Sequence, residues 1–375
     1  KVMRSDIPLR VVMVGDFPRN TDSIAGGVES VMSYLCAELA SDDRIDLNVV
    51  TVDRWGLGDR EISCGSYTAH YLRQPRIRGP FRRLLMIRRL CGKIKHLQPD
   101  IVHAQIAGQY SEAAHRSGIP YVLTLHGVRY LEARLKTGLI DRVYRRRLIE
   151  HEERKGIRQA ANIISINPFI DDCFADVMGG RVEHIENPIA DSWFNVADDG
   201  NPHGLLYAGR ITPRKDMVTL LKAFLVLHKK FPEATLRIAG APDNPDPTGY
   251  FDSIKSFVAK NELEQSVFFL GNLSEEELRA EYASNAVFVL AAILETAPMS
   301  IAQAQAAGRI IVTTDAGGCR HMIETGESGI VVPIGDYDAM GNALIQCFEN
   351  PDLANRMRTK ARQDARIRYS ASEIA

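Results

Sequence analysis

Several features that would mark other classes of protein are missing from this sequence. No apolar run reaches the roughly 18 residues that a membrane-spanning helix needs. The six cysteines form no CxxC pair and no cluster with histidine, so they favour buried free thiols in a reducing compartment over a disulfide framework or a zinc site. The opening residues, KVMRSDIPLR, have no signal-peptide core, which predicts a cytoplasmic protein.

A large excess of charge of one sign is also absent, because the net charge is only −1. The two halves nevertheless differ: residues 1–190 carry 28 Lys and Arg against 23 Asp and Glu, and residues 191–375 carry 18 against 24. A basic first half favours an anionic surface or acceptor as its partner.

The length of 375 residues predicts two domains. We predict an N-terminal domain over 1–190, a linker over 191–202, a second domain over 203–350 and a C-terminal helix over 351–375 that packs back towards the first domain. The linker is placed at the polar run that follows the Asn187-Pro188 turn. No fixed-period repeat is present.

The most informative stretch runs from Phe288 to Gly318, FVLAAILETAPMSIAQAQAAGRIIVTTDAGG. Its pattern predicts a buried strand, a loop with the carboxylate of Glu295, a small-residue helix that stops at Gly308, and a second strand. Such a βαβ unit places its polar loop at the carboxyl end of the first strand, where open α/β sheets bind ligands. The N–H groups of the first helical residues, Met299, Ser300 and Ile301, predict an anion site. An ordinary βαβ unit with a chance glutamate is the alternative.

This stretch resembles the donor-sugar signature of the retaining glycosyltransferases of family 4, which have the GT-B fold. Their E-x7-E motif stands in a frame like E-x-x-P-x-x-x-x-E-A-x-A-x-G, which Glu295, Pro298 and Gly308 match here. The second glutamate of the motif, which binds the ribose hydroxyls in the family, is replaced by Gln303. An amide can still offer an acceptor and donors, so this change predicts weaker or altered ribose binding.

A second element of the resemblance is Gly209-Arg210, followed five residues later by Lys215 and then by a predicted helix. Two cations near a helix N-terminus can neutralise a diphosphate, and in the family they bind the nucleotide phosphates. The family also packs the end of a later strand, here Leu270-Gly271, against the nucleotide base. Surface cations are the alternative interpretation.

In the first domain the sequence GGVE places Gly26 and Gly27 between a strand and a helix, where backbone N–H groups can approach a phosphate. The same glycine loop lies against the donor diphosphate in the family, although a plain tight turn explains it equally well. His103 and His126 both stand at the carboxyl ends of predicted strands, in PDIVHAQ and TLHG. The resemblance places the second histidine beside the reacting sugars, where it could donate to sugar or phosphate or shuttle a proton.

Two basic segments, 73–96 and 142–158, have helical periodicity. A core-facing helix with a solvated charged face is the first interpretation of each. The alternative is peripheral contact with an anionic membrane at its inner face, or with a phosphorylated lipid acceptor.

The resemblance, which extends from Val11 to about Leu344, implies two Rossmann-like doubly wound α/β domains facing across a cleft. It implies a retaining transferase that moves a hexose-type sugar from a nucleotide diphosphate sugar to a glycan, lipid-linked or small-molecule acceptor in the synthesis of polysaccharides or glycoconjugates. A non-catalytic sugar-nucleotide-binding protein is one alternative, since Gln303 and His321 replace family acids. A GT-B-fold epimerase or phosphorylase is another.

The implied roles divide between the two domains. His126, Arg210, Lys215 and Glu295 are the catalytic candidates, and Asp16, His103 and Arg129 are candidates on the acceptor side. Donor binding falls to the following residues: Gly26, Gly27, Gly209, Leu270, Gly271, Pro298, Met299, Ser300, Ile301 and Gln303. No acidic pair suits a divalent ion, so we expect no metal and no cofactor, and we expect no nucleic-acid partner. The sequence leaves the base, the sugar and the acceptor open.

Overall fold

A computed structural model of the chain describes residues 7–19, 26–77, 80–135, 146–197, 200–243, 246 and 248–375. The chain forms two compact units, Lys1–Pro188 with Ala371–Ala375 and Ile189–Ser370. Each unit is built on a mainly parallel sheet with helices along the chain between its strands. The predicted α/β class with two Rossmann-like domains is therefore confirmed.

The first unit has an eight-stranded sheet within the described residues, in the order β3-β4-β2-β1-β5-β6-β7-β8. All its pairings are parallel except that of β3 with β4. The strands are β1 (Leu9–Val14), β2 (Ile45–Asp53), β3 (Arg60–Ser63), β4 (Thr68–Arg73), β5 (Ile101–Gln105), β6 (Tyr121–Leu125), β7 (Asn162–Ser165) and β8 (Arg181–His184). The central strand β1 pairs on one side with β2 and on the other with β5, so the chain reverses its direction across the sheet between β1 and β5.

Helices connect these strands, as a parallel sheet requires. They are α1 (Gly27–Leu39), α2 (Pro80–Leu97), α3 (Gln109–Ser117), α4 (Arg129–Arg134), α5 (Arg146–Gln159) and α6 (Pro168–Phe174), with the short α14 (Ala371–Ile374) at the end of the chain. The core forms where apolar strand residues such as Met13 and Val49 pack against Met32 and Cys36 of α1. In α2 the apolar residues Ile87, Leu90 and Ile94 are buried. Arg82 is exposed, as the periodicity predicts, and Arg88 is exposed as well.

The second unit has a six-stranded parallel sheet within the described residues, in the order β11-β10-β9-β12-β13-β14. Its strands are β9 (Asn201–Ala208), β10 (Thr235–Ala239), β11 (Val267–Gly271), β12 (Asn285–Leu290), β13 (Ile310–Thr314) and β14 (Ile330–Val332). Every residue of β12 is buried, because helices cover both faces of such a sheet. The chain reverses between β9 and β12.

The helices of the second unit are α7 (Met217–Lys230), α8 (Tyr250–Lys260), α9 (Glu275–Ser284), α10 (Met299–Ala306), α11 (Cys319–Met322), α12 (Tyr337–Glu349) and α13 (Pro351–Tyr369). Helix α13 packs on α10 within this unit, where Arg358 donates to the carbonyl of Gly308 at 2.9 Å and Arg362 donates to that of Ala307 at 3.1 Å. These arginines supply donors and positive charge to the C-terminal end of α10, which carries a partial negative charge.

Part of the predicted linker is packed rather than exposed. Residues Asp191–Asn195 form a 3-10 helix, and β9 already begins at Asn201. The indole of Trp193 is fully buried, with its ring centroid 5.2 Å from that of Tyr282 in an edge-on arrangement. Residues 198 and 199 of this segment lie outside the described residues.

All six cysteines are free thiols, and Cys36, Cys319 and Cys347 are buried while the other three are half-buried. Across the described parts of the chain, no helix is both long and apolar enough to cross a membrane.

Candidate functional site

In the second unit, the predicted donor residues lie where the chain reverses across the sheet. The loop after β9 carries Lys215, and the loop after β12 carries Glu295. The two loops are joined directly, because the N–H of Ile293 donates to the carbonyl of Arg214 at 2.9 Å. A crevice outside the carboxyl ends of two such strands is the usual ligand site of an open α/β sheet.

Three charged side chains meet there, and we call Arg214, Lys215 and Glu295 the donor cluster. Lys215 Nζ and Arg214 Nη1 each lie 2.7 Å from the same carboxylate oxygen, Oε1 of Glu295. Lys215 and Glu295 are buried, and Arg214 also donates to the carbonyl of Leu294 at 2.8 Å. Because two cations share one carboxylate, the donor cluster has an excess positive charge, which favours binding of a diphosphate. The carboxylate of Glu295 can in addition accept hydrogen bonds from sugar hydroxyls.

Arg210 does not join the donor cluster. Its guanidinium forms an exposed pair with Asp243, at 3.1 Å, although its carbonyl accepts from the hydroxyl of Tyr207 at 2.8 Å. The sequence predicts Arg210 and Lys215 as one pair of cations, but in the structure it is Arg214 that accompanies Lys215. Arg210 stands at the rim with a long, solvated side chain.

Glycines bring the ends of β9, β10 and β11 close together. Gly209 has φ 153°, and Gly240 has φ 135°, both in the region that side chains disfavour. A Cβ on Gly240 would lie 2.0 Å from the carbonyl oxygen of Gly209, so only glycine fits. The N–H of Gly240 in turn donates to the carbonyl of Gly271 at 2.7 Å. Leu270, the predicted contact of the base, is half-buried beside this edge.

Helix α10 begins at Met299 with buried Pro298 before it, as the sequence predicts. The N–H of Ile301 donates to the carbonyl of Pro298 at 3.0 Å, so of the three predicted N–H groups this one is already used inside the turn. Met299 and Ser300 keep the N–H groups that have no acceptor within a helix. Gln303 lies one turn further on and is 9% exposed.

The loop after β13 fixes the backbone at Glu295. The N–H of Glu295 donates to the carbonyl of Ala316 at 3.2 Å, and the carbonyl of Glu295 accepts from the N–H of Gly318 at 2.8 Å. Hydrogen bonds thus hold the backbone of Glu295, and ion pairs hold its carboxylate. His321 follows on α11, where its carbonyl accepts from Arg368 at 3.0 Å.

In the first unit, His126 lies between two buried amides. Its Nδ1 is 3.1 Å from Oδ1 of Asn187, and its Nε2 is 2.6 Å from Oε1 of Gln105. Burial, reinforced by nearby His103, lowers the pKa of His126 to about 4, so the ring is neutral near pH 7. A neutral imidazole carries one N–H, so one of the amides must offer its NH2 group, and the Gln105 amide nitrogen has no other partner in the described structure.

His103 stands on β5 with its Nε2 2.7 Å from the hydroxyl of Thr124 on β6. Burial lowers the pKa of His103 to about 4. Both predicted histidines are therefore neutral hydrogen-bonding groups near pH 7. A neutral ring can donate or accept one hydrogen bond at a ligand but is a weak reservoir of protons.

The predicted acceptor-side residues Asp16 and Arg129 line one pocket of the first unit. Asp16 accepts from the Tyr110 hydroxyl at 2.6 Å and forms an ion pair with Arg54. The guanidinium of Arg129 donates to the carbonyl of Ala107 at 3.2 Å. His103 is not among the residues that line this pocket.

The backbone N–H of Arg129 donates to the carboxylate of Glu153 at 2.9 Å, at the start of α4. Burial raises the pKa of Glu153 to about 7.

Gly26 and Gly27 stand at the start of α1, where Gly26 is the N-cap in an extended conformation. A Cβ on Gly26 would meet nothing within 4 Å, so the space above this residue is open. Residues 20–25, which precede the glycines, lie outside the described residues, as do residues 78–79 and 142–145 of the two basic segments.

Sequence reasoning missed three side chains that shape these sites. Arg214 is the neighbour of Lys215 in the sequence, but nothing in the sequence distinguishes it from a surface arginine. Gln105 and Asn187 flank the predicted strand end and the Asn-Pro turn, yet their contact with His126 depends on tertiary packing. Among the described residues, no group of three or more His, Cys, Asp and Glu side chains is arranged to hold a metal ion.

Two family profiles match the chain in succession. The profile described as Glycosyltransferase Family 4 matches residues 25–193, and that described as Glycosyl transferases group 1 matches residues 192–364. Among curated proteins, alpha-D-kanosaminyltransferase of Streptomyces kanamyceticus is 26% identical over 271 residues, which is 68% of either chain. Further curated relatives are matched over only 38% to 66% of their length.

Solved structures show the fold. Sucrose-phosphate synthase from Thermosynechococcus elongatus aligns with a TM-score of 0.82 at 17% identity, covering 98% of this chain and 96% of that one. Anabaena HepE, in complex with UDP and glucose, aligns with a TM-score of 0.72 at 16% identity, covering 98% and 97%. The fold is GT-B.

Proposed function

This chain belongs to the group 1 glycosyltransferases of family 4, and from that premise we propose that it is a retaining enzyme that uses a nucleotide diphosphate sugar. It transfers a hexose-type sugar to a glycan, a lipid-linked acceptor or a small molecule, in the synthesis of polysaccharides or glycoconjugates. The observation that carries the proposal is the donor cluster, in which a lysine and an arginine share one glutamate oxygen where the chain reverses across the second sheet. The UDP and glucose bound by HepE support a nucleotide sugar as the donor.

The donor cluster provides charge where the reaction generates it. Lys215 stabilises the departing diphosphate, together with the N–H groups of Met299 and Ser300, and Arg210 reaches the phosphates from the rim once it leaves Asp243. Glu295 accepts hydrogen bonds from the sugar hydroxyls, and Gln303 contacts the ribose. Such preorganised electrostatic stabilisation is usually the largest catalytic contribution of an enzyme.

The transfer balances without a further reactant. The bond from the anomeric carbon to the diphosphate oxygen breaks with its electron pair, the acceptor hydroxyl oxygen bonds to that carbon on the same face, and the hydroxyl proton passes to the departing diphosphate. Because Arg and Lys can neutralise the diphosphate, we propose that the enzyme needs no metal ion and no cofactor. His126 takes part as a neutral hydrogen-bonding group.

The proposal is tested by incubating the protein with UDP-, GDP- and ADP-sugars and measuring release of the nucleoside diphosphate in EDTA. Proton NMR of the anomeric position then reports the stereochemistry of the product. We expect release from one donor, the same anomeric configuration in donor and product, and at least a hundredfold lower rate for Lys215→Ala. An inverted product would contradict retention, and release that depends on added metal would contradict metal independence.

Gln303 favours a second candidate, a protein that binds a sugar nucleotide without turning it over. The same assay distinguishes the two functions, because a binding protein without activity would bind the nucleotide but release no nucleoside diphosphate from any donor.

A further inference from the structure

The first unit has a pocket of about 290 Å³ along the carboxyl edge of its sheet. Loops after five neighbouring strands line it: Asp16 follows β1, Arg54 follows β2, Gln74 follows β4, Ile106 follows β5 and Arg129 follows β6. The pocket thus spans the reversal between β1 and β5, the position at which an open α/β sheet binds its ligand. Its volume is close to the lower end of small-molecule sites.

Arginine is the most frequent residue of the lining, and we call this cavity the arginine pocket. It is lined by four arginines, Arg54, Arg82, Arg83 and Arg129, against the carboxylates of Asp16 and Glu152. Two of the four are neutralised, because Arg54 pairs with Asp16 and Arg83 lies 3.1 Å from Glu152.

The remaining two arginines provide the excess positive charge. Arg82 forms no ion pair with any described residue, and Arg129 uses one N–H on the carbonyl of Ala107. A guanidinium carries five N–H donors in a planar fork, so both retain donors for an anion.

The backbone of the pocket is also unusual. Ile106 has φ 142°, a conformation that a β-branched side chain strongly disfavours. Such strain concentrates at ligand sites, where the surrounding structure holds it. Three positions after Ile106, the nine-residue helix α3 begins with Gln109 and Tyr110, both of which line the pocket. The first N–H groups of a helix have no acceptor within it and favour an anion.

We propose that the arginine pocket binds a phosphate group of the acceptor. The inference rests on the proposed function, because it supplies the acceptor class for the transfer reaction. Two excess guanidinium groups match the oxygens of a phosphate better than any neutral sugar, since Arg binds phosphate with two parallel hydrogen bonds. The phosphate belongs either to a soluble phosphorylated sugar or polyol or to the head group of a lipid.

The first test measures binding of inorganic phosphate and of glucose 6-phosphate by titration calorimetry, with glucose as the uncharged probe. We expect both anions to bind and glucose not to bind. Arg82→Gln should weaken the anions about tenfold, because it removes a charge-assisted hydrogen bond. Arg88→Gln is the matched control, since Arg88 is exposed on the same helix but does not line the pocket. Equal weakening by both variants, or no binding to the wild type, would overturn the proposal.

Phosphate can also bind at the donor cluster, so the titration is repeated with Lys215→Ala. Anion binding that survives Lys215→Ala but falls with Arg82→Gln belongs to the arginine pocket. Binding that disappears with Lys215→Ala and is unchanged by Arg82→Gln contradicts the proposal. Nucleotide binding, measured separately, shows whether the proposed function fails instead.

The two phosphate sources are distinguished with vesicles. Phosphatidylcholine vesicles with and without phosphatidylinositol are compared with soluble glucose 6-phosphate as acceptors in the transfer assay. Sugar incorporation only into the vesicles that contain phosphatidylinositol assigns the pocket to a lipid head group, and incorporation into glucose 6-phosphate assigns it to a soluble phosphate. Either incorporation should fall with Arg82→Gln and not with Arg88→Gln. Equal transfer to glucose and to glucose 6-phosphate would overturn the proposal.

Discussion

Lys215 contacts Glu295, whereas Arg210 does not. Substitutions at these two residues should therefore differ in their effects on the stability of the protein and on nucleotide binding. Lys215 is buried against the carboxylate at 2.7 Å, whereas the side chain of Arg210 is 67% exposed. Breaking a buried ion pair leaves an uncompensated charge, but an exposed pair contributes little.

Lys215→Met should therefore lower the free energy of unfolding by about 1 to 2 kcal/mol, because it removes a buried charge-assisted contact but leaves Arg214 paired with Glu295. Arg210→Ala should change it by less than about 0.5 kcal/mol and still weaken nucleotide binding. Denaturant unfolding without nucleotide measures the first effect, and titration calorimetry measures the second. Equal destabilisation by the two variants would contradict the described positions.

Gln303 provides a gain-of-function prediction. Gln303→Glu restores the carboxylate of the family motif, which can accept hydrogen bonds from two ribose hydroxyls. We expect nucleotide affinity to rise about tenfold, since a charged acceptor forms stronger hydrogen bonds than an amide does. Gln303→Ala is the control and should lower the affinity. Unchanged affinity in both variants would remove residue 303 from the ribose site.

The low pKa values of His103 and His126 predict a loss of stability in acid. Both pKa values are about 4, below the 6.5 of an unfolded histidine, so the folded state binds fewer protons between pH 6.5 and 4. Stability that is present above pH 6.5 is lost as the pH falls, by at most about 1.4 kcal/mol per pH unit for each ring. Glu153, with its pKa raised to about 7, acts in the opposite direction between about pH 4.5 and 7.

His126→Gln should make the unfolding free energy of the first unit less dependent on pH between 7 and 5, whatever its effect at pH 7. Urea unfolding at the two pH values, followed by hydrogen exchange in that unit, gives the slope. A variant with the slope of the wild type would show that His126 is not held neutral.

Among the elements, the loops after β9 and β10 depend most strictly on backbone geometry. Gly240→Ala would place a Cβ 2.0 Å from the carbonyl oxygen of Gly209 and would displace the loop that leads to Lys215. We expect loss of nucleotide binding together with lower stability of the second unit. Gly249→Ala is the control, because Gly249 also has a positive φ, 62°, but its Cβ would meet nothing within 4 Å.

The control should cost only the backbone strain of about 1 kcal/mol and leave nucleotide binding intact. Calorimetric titration with the nucleotide compares the two variants. If both lost binding equally, the close contact at Gly240 would not be what positions the loop.

The long buried strands and the helices between them were predictable, whereas several short elements were not. The apolar runs of β1 and β6 lie inside the first sheet and that of β12 lies inside the second, and their burial is visible as hydrophobic sequence. Strands β3 (REIS) and β4 (TAHYLR) form an antiparallel edge, and both mix polar with apolar residues, so neither stands out as a hydrophobic run. Their pairing is set by tertiary contacts.

The candidate site divides in the same way. Glu295, Lys215 and the start of α10 follow from spacing, because strand and helix ends fix their backbone positions. The spacing does not predict that Arg214 rather than Arg210 contacts Glu295. This contact depends on the 3-10 turn Pro213–Lys215 and on Asp216, whose φ of 41° changes the direction of the chain. Side-chain direction after such a turn is not encoded in spacing alone.

At the scale of the whole molecule, each unit has a sheet in which the strand order changes direction at one point. The residues at these two points differ in their chemistry. The second unit holds cations that share a carboxylate, and the first unit holds the arginine pocket. A donor that binds the second unit should stabilise that unit in particular, because a ligand stabilises the state to which it binds.

The central claim, that a nucleotide sugar binds at the donor cluster without a metal, is tested most directly by thermal unfolding with UDP, GDP, ADP and their sugar conjugates in EDTA. We predict that one base raises the unfolding temperature. At 100 times the dissociation constant the ligand should add about 2.7 kcal/mol. The shift should be smaller in Arg210→Ala, because that variant weakens nucleotide binding. No shift with any nucleotide, or a shift that needs added metal, would contradict the account.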